Sequence, residues 1–539
     1  MKPPLQFLAI LIAQLLVALV ATSFVVGLTR TFVFFIVVPL ATMLLTSLPR
    51  FQTKGGIVTI TAATIASLAI IHTIREHYAP TSFLGPFIGT SPREYVFAAY
   101  GTFAAITVLS AGITRMAFGS NGTLRRFRWV IAASVIFLLF GALTMARSAT
   151  QRTPASTLAT IAHLEKISER DAFAEQELSV FLSTVGRLDE SEAASGWQFE
   201  DGEGEVIPLD DLVEDQRLDL SQFEPLPWQS EMEKVAGREQ LIVIMEAHNA
   251  PGHRRWIEQV LPILHRAGFR DYAAEGLYES GVTLMRRGYP VSTTGAYVND
   301  PCFGNLLRRA MKLNFRLHEY EPTYESPEQR EHDQAANLAR LFEADPNLKL
   351  VVHCGYAHAE KRSGESGEQG ETIGRLKMMA ARLWEMTGIE PYCILQSWHG
   401  PYESDSRQLA ELTGVDREPY MLSPMPENLA DIQFRVPKGS FDALVVHPAA
   451  RNDEHVFPSN MRTNQTVLRG TWPGPEWPVL IGAFRNGENA DAIALDQVML
   501  REGESDFALT VPDENSTVRV FGLRGKLNRQ PNLEKGSAN

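Results

Sequence analysis

The chain is 539 residues long, which is more than one ordinary domain needs. Its net charge of −13 gives no indication of a general affinity for nucleic acid. The hydrophobic content of 45% is unevenly distributed, because residues 1–147 are almost entirely apolar and the remainder is acidic and mixed.

The apolar N-terminal region predicts a set of membrane-spanning helices. Each of its apolar runs is close to the ~20 residues that are needed to cross a hydrocarbon core. The runs lie near residues 5–28, 31–48, 56–74, 95–118 and 128–146. The first run is too long for a signal peptide, has no clear small-residue cleavage site and is followed by further runs. We therefore expect about five helices over 1–147 that anchor the chain in a lipid bilayer.

The positive charges near these runs favour a cytoplasmic N-terminus. With that orientation, seven Lys and Arg residues lie inside and five outside, and "LRRFR" at 124–128 is the strongest local signal. An odd number of helices then places the C-terminal bulk outside the cytoplasm. The sequence thus predicts an integral protein of a bacterial inner membrane with extracytoplasmic C-terminal domains.

Residues 148–235 are predicted to connect the apolar region to the globular part. The stretch "SERDAFAEQELSVFL" is expected to be helical, with apolar residues at Phe173, Leu178 and Phe181. Residues 189–219 then carry twelve acidic residues and one basic residue. Such a run is typical of a solvated connector, and we expect no binding role for it.

Residues 236–414 alternate between strand-like and helix-like segments. The predicted strands are "QLIVIM", "RDYAAEGL", "RLHEYE", "LKLVVHCGYAH" with its loop, and "YCILQSW". Between these strands, apolar residues recur at the spacing of an α-helix. Ser326 is predicted to begin one of these helices and Gly388 to end another. Strands that alternate with helices at this spacing predict a parallel α/β sheet.

Short strands divided by Pro, Gly, Asn and Asp follow over residues 415–526. The segments "FDALVVHP", "WPVLIGAF", "DAIALDQVML", "DFALTVP" and "TVRVFGL" are typical of a small antiparallel β domain of the sandwich type. Residues 527–539 are predicted to be disordered. The predicted fold class is a transmembrane region, then an α/β domain with a parallel-type sheet, then a small all-β domain.

Ionisable side chains lie where three of the predicted strands end. Glu246 and His248 follow the first strand, Glu275 ends the second, and His353 and His358 end the fourth. In open α/β sheets, ligands bind beyond the carboxyl ends of the strands. If these residues were purely structural, each would need a separate reason to lie at a strand end. Their occurrence at the ends of three strands therefore predicts a functional site.

The same residues carry a resemblance to a known superfamily. Residues of about 240–400 resemble the erythromycin esterases, the haem-binding-uptake (ChaN-like) proteins and the Tiki/TraB proteins. The later Gly-x-x-His motif of these families stands here as "GYAH", Gly355 to His358, and the earlier motif as "MEAH", with Met245 where the family often has Gly. Glu275 matches an expected acidic residue, and the segment "REHDQAANLARL" around Arg330 resembles a helix of the esterases.

In the esterase branch, the resemblance implies a metal-free site in which His248 acts as general base on water. Glu246 or Glu275 would orient the imidazole and support its charge, and an arginine would hold an anionic intermediate. The predicted catalytic residues are Glu246, His248, Glu275, Arg330 and His358, and the predicted substrate-binding residues are Arg254 and Arg255.

In the Tiki branch, the resemblance implies a divalent metal (Mn, Co or Zn) that activates a bound water. His248, His358 and a carboxylate would be its ligands, and His353 would support them without binding the metal. The third branch implies a haem- or metal-binding module without turnover.

Three function classes stay open at the level of sequence. The first is an extracytoplasmic hydrolase that acts on an ester or amide bond of a small-molecule or peptide substrate. The second is the haem- or metal-binding module, and the third is a membrane sensor or interaction protein with a degenerate site. The three cysteines, Cys302, Cys354 and Cys393, give no disulfide framework.

Overall fold

The computed structural model describes residues 154–167, 172–194, 225–322, 326–362, 376–396, 418–425, 439–447, 466–489, 491–512, 515–523 and 525–534. All of these residues belong to the second of the two units into which the chain divides, Thr153–Asn539. They form a short helical segment, a sheet covered by helices on both faces, and a β sandwich.

The helical segment comes first in the chain. Its helices are α1 (Pro154–Leu164), α2 (Ala172–Thr184) and α3 (Leu188–Ala194). Helix α2 lies within the stretch that the sequence predicts to be helical. The acidic run that follows lies outside the described residues from position 195 onward.

The central element is an eight-stranded sheet. Its strands are β1 (Leu226–Pro227), β2 (Leu241–Glu246), β3 (Asp271–Ala274), β4 (Arg316–Glu319), β5 (Leu350–Gly355), β6 (Tyr392–Gln396), β7 (Tyr420–Leu422) and β8 (Ala443–Val446). Their spatial order is β1-β7-β8-β6-β2-β5-β3-β4. The six strands from β8 to β4 are parallel, whereas β7 is antiparallel to β8 and β1 is antiparallel to β7.

Helices connect and cover these strands. They are α4 (Trp228–Arg238), α5 (Pro251–Arg266), α6 (Gly281–Arg287), α7 (Pro301–Lys312), α8 (Pro327–Ala344) and α9 (Met379–Thr387). A 3-10 helix, Tyr356–Ala359, follows β5 directly. Two predicted helix signals are confirmed, because the Ser326 side chain accepts from the backbone N–H of Gln329 and Gly388 ends α9 with φ of 70°.

Both faces of the sheet are buried, which explains the continuous apolar runs of its central strands. On β2, Leu241, Val243 and Met245 pack into the core on one face, which also contains residues of α8 and α9. Ile242 and Ile244 pack on the other face, against residues of α4, α5 and α7. Side chains of a strand alternate between faces, so a strand that separates two cores has no polar face.

The β sandwich consists of a four-stranded and a three-stranded sheet. Its strands are β9 (Thr466–Thr471), β10 (Val479–Arg485), β11 (Asp496–Leu500), β12 (Asp506–Val511), β13 (Ser516–Gly522), β14 (Gly525–Lys526) and β15 (Asn532–Leu533). The sheet orders are β11-β10-β13-β14 and β12-β9-β15, and all pairs are antiparallel. The predicted antiparallel sandwich is thus present over 466–533.

Helices α1 and α2 pack against the outer face of the four-stranded sheet. Leu158 of α1 and Leu178 of α2 share a buried cluster with Leu480 and Phe484 of β10. The segment that the sequence predicts only as a connector is therefore part of the same folded body as the sandwich.

The predicted fold class is wrong on two points. The first point concerns the transmembrane helices. None of the helices among the described residues is both long enough and apolar enough to cross a bilayer. The five predicted spans in 1–147 themselves lie outside those residues, and the predicted extracytoplasmic location, which depends on them, stays a prediction.

The second correction concerns the sheet, which is mixed and not purely parallel. The segment "FDALVVHP", predicted as a strand of the β domain, supplies β8 of the large sheet instead. Strand β15 falls in the predicted disordered tail and pairs with β9. Local sequence shows that these segments are strands or loops, but it does not show which strand each one pairs with.

Candidate active site

The carboxyl ends of β2, β3 and β5 lie side by side in the sheet. Glu246 at the end of β2 is in register with Gly355 at the end of β5, and Ala274 of β3 is in register with His353. Because these strands are parallel, the residues that follow them meet at one edge of the sheet. The loops that carry the predicted site residues therefore start from neighbouring positions.

Glu246 is the centre of a first hydrogen-bonded cluster. Its Oε1 lies 2.9 Å from Nδ1 of His248 and accepts from Nη2 of Arg254 at 2.6 Å. Its Oε2 accepts from Nε of Arg254 at 2.7 Å and lies 2.6 Å from Nε2 of His353. Arg254 in turn donates from Nη1 to Oδ2 of Asp300 at 2.7 Å. Four donors fix the orientation of the Glu246 carboxylate.

The charge of Arg254 keeps Glu246 ionised although it is buried. Burial by itself raises the pKa of a carboxyl group. The charge of Arg254, the electrostatic interaction with His353 and the hydrogen bonds from His248 and His353 nevertheless hold the pKa of Glu246 well below its ordinary value. An ionised carboxylate only accepts hydrogen bonds. In the neutral imidazole of His248, the proton therefore sits on Nδ1, and Nε2 carries a lone pair.

The ring of His248 is held on three sides. It is stacked on Tyr297 with ring centroids 4.0 Å apart, and Tyr356 meets it edge-on at 4.8 Å. On the third side lies Gly355, where a Cβ atom would come within 2.5 Å of Nε2. In the part of the chain that the structure describes, nothing donates to or accepts from Nε2. His248 thus has one fixed orientation and one unused basic nitrogen.

Arg330 is the centre of a second cluster. Its Nη2 donates to Oε1 of Glu275 at 2.7 Å, and its Nη1 donates to Nε2 of His358 at 2.8 Å. Oε2 of Glu275 accepts from the backbone N–H of Gly355 at 2.5 Å, which connects this cluster to the loop against His248. Nδ1 of His358 lies 2.7 Å from Oε1 of Glu331, at ion-pair distance but outside hydrogen-bond geometry.

Glu275 and His358 shift each other's pKa. Burial raises the pKa of Glu275, but His358, His248 and Arg330 lower it to about 2. Burial lowers the pKa of His358, yet Glu275 and Glu331 raise it above its ordinary value. The two carboxylates therefore favour a proton on the imidazole of His358.

In the second cluster, the guanidinium of Arg330 engages the side-chain atoms that could bind a metal. Both atoms that a metal would need, Nε2 of His358 and Oε1 of Glu275, accept hydrogen bonds from Arg330. Within the described ranges, no group of three or more His, Cys, Asp and Glu side chains is placed to hold a metal ion. The predicted ligands His248 and His358 therefore do not fit a metal site in this arrangement.

The two arginines predicted to bind substrate are both buried in helix α5. Arg254 is 0% exposed, and its guanidinium is engaged by Glu246 and Asp300. Arg255 is 3% exposed and leaves the helix about 100° away from Arg254, because successive helical residues differ by that angle. Arg330, whose side chain is 21% exposed, is the arginine of the two clusters that reaches solvent.

Several contributors to the site are absent from the set predicted from sequence. Tyr297 and Asp300 lie in the irregular stretch before α7, where no periodic pattern marks them. Asp300 also accepts from the backbone N–H of Cys302 and so begins α7. An Asp directly before Pro301 is a recognisable helix-start signal, and this was the available clue to its position.

Helix α2 also contributes to the surroundings of His248. Oγ of Ser179 accepts from Nδ2 of Asn249 at 3.0 Å, one residue beyond His248. The side chain of Gln176, nearly one turn earlier on the same face of α2, hydrogen-bonds Tyr356. The helical segment therefore supports two of the loops that position His248.

Comparisons with known proteins add little to this geometry. No protein-family model and no curated protein matches the chain. Among solved structures, the type III effector HopBA1 is 13% identical and covers 33% of this chain and 88% of its own, with a TM-score of 0.22. Two structures described as bacterial protein toxins are 12% and 11% identical, cover 66% and 69% of this chain and 92% and 95% of their own, and each has a TM-score of 0.20. Scores this low carry no argument, and the resemblance to the esterase and Tiki families stays a prediction.

Proposed function

We propose that the chain is a metal-independent hydrolase in which His248 activates water for attack on an ester or amide carbonyl. The observation that supports this most strongly is the Glu246–His248 pair. Its 2.9 Å contact to Nδ1 leaves Nε2 free to accept a proton, and the Glu246 carboxylate is fixed by Arg254. This is the arrangement that a general base requires.

The proposed reaction uses these groups in the following way. Nε2 of His248 takes a proton from water as the water oxygen bonds to the carbonyl carbon. The negative charge of Glu246 stabilises the imidazolium that forms. When the tetrahedral intermediate collapses, the bond to the leaving group breaks, and Nε2 returns the proton to the leaving oxygen or nitrogen.

Arg330 is the proposed partner for the developing oxyanion. It is the more exposed guanidinium of the two clusters, and the interactions with Glu275 and Glu321 fix its plane. A guanidinium held in place before the reaction stabilises negative charge without reorganisation. Glu275 and His358 act in this proposal by holding Arg330.

The test uses the full chain with p-nitrophenyl esters of increasing acyl length and with p-nitroanilides as probes. We expect hydrolysis of at least one probe by the wild type and a loss of ~10²–10⁴-fold in His248→Ala, the range for removal of a general base. His332→Ala is the matched control, because the His332 side chain is 54% exposed on α8. Equal rates in wild type and His248→Ala would overturn the proposal.

A chelator separates this proposal from the metal-dependent alternative. Activity should be unchanged after treatment with EDTA and should not rise when Mn, Co or Zn is added. Loss of activity in EDTA with recovery on metal addition would show that the reaction needs a metal, and it would overturn the metal-independent mechanism.

A further inference from the structure

His353 and Tyr272 extend the cluster of Glu246 into the interior of the sheet. The phenol oxygen of Tyr272 lies 2.6 Å from Nδ1 of His353, and Nε2 of His353 lies 2.6 Å from Oε2 of Glu246. Tyr272 is 0% exposed and His353 is 2% exposed. A chain of hydrogen bonds therefore runs from Tyr272 through His353 and Glu246 to His248.

The direction of each bond in this chain follows from donor chemistry. The ionised carboxylate of Glu246 only accepts, so Nε2 of His353 donates to it. In a neutral imidazole, Nδ1 then carries the lone pair, and the hydroxyl of Tyr272 donates to it. In the described part of the chain, the Tyr272 hydroxyl makes this one hydrogen bond.

Protonation of His353 would break this pattern. An imidazolium would place an N–H on Nδ1 and force the Tyr272 hydroxyl to turn its own hydrogen into apolar surroundings, and a buried polar hydrogen without a partner is unfavourable. Among the described residues near the ring, Phe303 from α7 stands nearly perpendicular to it, with 5.6 Å between centroids, and Arg254 lies over Phe303. The carboxylate of Glu246 would attract an additional positive charge on the ring, whereas the guanidinium of Arg254 would repel it.

The charge balance of the Glu246 cluster depends on the protonation state of His353. Two carboxylates, Glu246 and Asp300, share the one guanidinium of Arg254. With a neutral His353 the cluster has one net negative charge, which is available to an imidazolium at His248. With a protonated His353 that charge would already be balanced.

We propose that Tyr272 and His353 are positioning residues: Tyr272 keeps His353 in its neutral, Nε2-protonated form, so that the charge of Glu246 is available to His248. This inference rests on the proposed role of His248 as general base. It names two further residues of that mechanism, neither of which touches the substrate.

Nitrogen NMR of the full chain with ¹⁵N-labelled histidine tests the protonation state directly. The His353 signals are assigned by their loss in His353→Gln. At neutral pH we expect a protonated Nε2 and an unprotonated Nδ1. Protonation of both nitrogens, or of Nδ1 alone, would overturn the inference. This readout needs no substrate, so it stands even if no probe is hydrolysed and the proposed function itself fails.

Kinetics with two matched phenol deletions test the functional part. Tyr320 is a second buried phenol that bonds the same residue, but it donates to the backbone oxygen of His353, at 3.1 Å. We expect Tyr272→Phe to lower kcat about tenfold with KM unchanged, since the loss of one hydrogen bond corresponds to about that factor in rate. Tyr320→Phe should leave both constants within about twofold of wild type. Equal losses in the two variants would show a merely structural role for Tyr272.

Discussion

The imidazole of His248 lies so close to Gly355 that a Cβ atom at position 355 would come within 2.3 Å of Cε1 of His248. The backbone of Gly355 is extended, with φ of −87°, a conformation that any residue can adopt. The glycine of "GYAH" is therefore needed for the space it leaves to the imidazole and not for its backbone freedom.

Gly355→Ala should displace His248 and lower hydrolysis by about 10²-fold, the cost of roughly 1 Å of misplacement at a reacting group. Circular dichroism should show an intact fold. Gly252→Ala is the matched control, because a Cβ atom at position 252 meets nothing within 4 Å. Full activity in Gly355→Ala would show that the position of His248 is not critical.

Glu275 should make stability depend on pH in the acid range. Its folded-state pKa of about 2 lies below the ordinary value of 4.5, so its stabilising contribution is fully present above about pH 4.5 and is lost as the pH falls towards 2. The shift corresponds to about 3 kcal/mol, at about 1.4 kcal/mol per pKa unit.

Urea unfolding at a series of pH values from 6 to 3 measures this contribution. The free energy of unfolding should decrease more steeply for wild type than for Glu275→Gln, because the amide does not titrate. Parallel curves for the two proteins would mean that the pKa of Glu275 is the same in the folded and unfolded states.

Arg254 should act on catalysis through Glu246 and not on substrate binding. Arg254→Lys keeps the charge but loses the two-pronged contact to Glu246, so kcat should fall about tenfold or more while KM stays within about twofold. The free energy of unfolding should fall by about 1–3 kcal/mol, the cost of lost hydrogen bonds to charged groups. Arg266→Lys, on the same helix with a 62% exposed side chain, should change neither quantity. A raised KM with unchanged kcat would restore the predicted substrate-binding role.

The helical segment should be part of the cooperative fold. Leu182 of α2 is 3% exposed in the cluster shared with the sandwich, so Leu182→Ala should lower the free energy of unfolding by about 2–5 kcal/mol. Leu533→Ala is the matched control, because Leu533 is 49% exposed. Thermal and urea unfolding of both variants provide the comparison, and a neutral Leu182→Ala would mean that α2 is only loosely attached.

The central strands of the large sheet could be predicted from sequence because they are apolar runs bounded by helices of clear period. Strands β3 to β6 lie within the predicted segments, and β2 extends one residue beyond its predicted segment, to Glu246. Strands β1, β7 and β8 have two to four residues each, and chain position alone does not say which edge they join. The uninterrupted apolar run "ALVV" of β8 was the available signal in the sequence, since strands of parallel sheets are buried on both faces and lack polar alternation.

In the candidate site too, the residues next to strands could be predicted, whereas those contributed by distant segments could not. Glu246, His248, Glu275 and His358 could be predicted because each is near a strand end. Tyr297 and the helix α2 contacts could not be predicted, because they come from segments about 50 and 70 residues away from His248 in the chain. A strand-end rule locates the edge of the sheet, but it does not show which distant segments pack onto that edge.

Chemical rescue of His248→Ala tests the central claim most directly. We expect the variant to lose hydrolysis and to regain part of it with added imidazole, which can occupy the space between Tyr297 and Gly355 and accept the proton. Pyrazole, a ring of the same size and much weaker basicity, should not restore the rate. A His248→Ala variant that is as active as wild type without imidazole, or equal rescue by both compounds, would contradict the assignment of His248 as the general base.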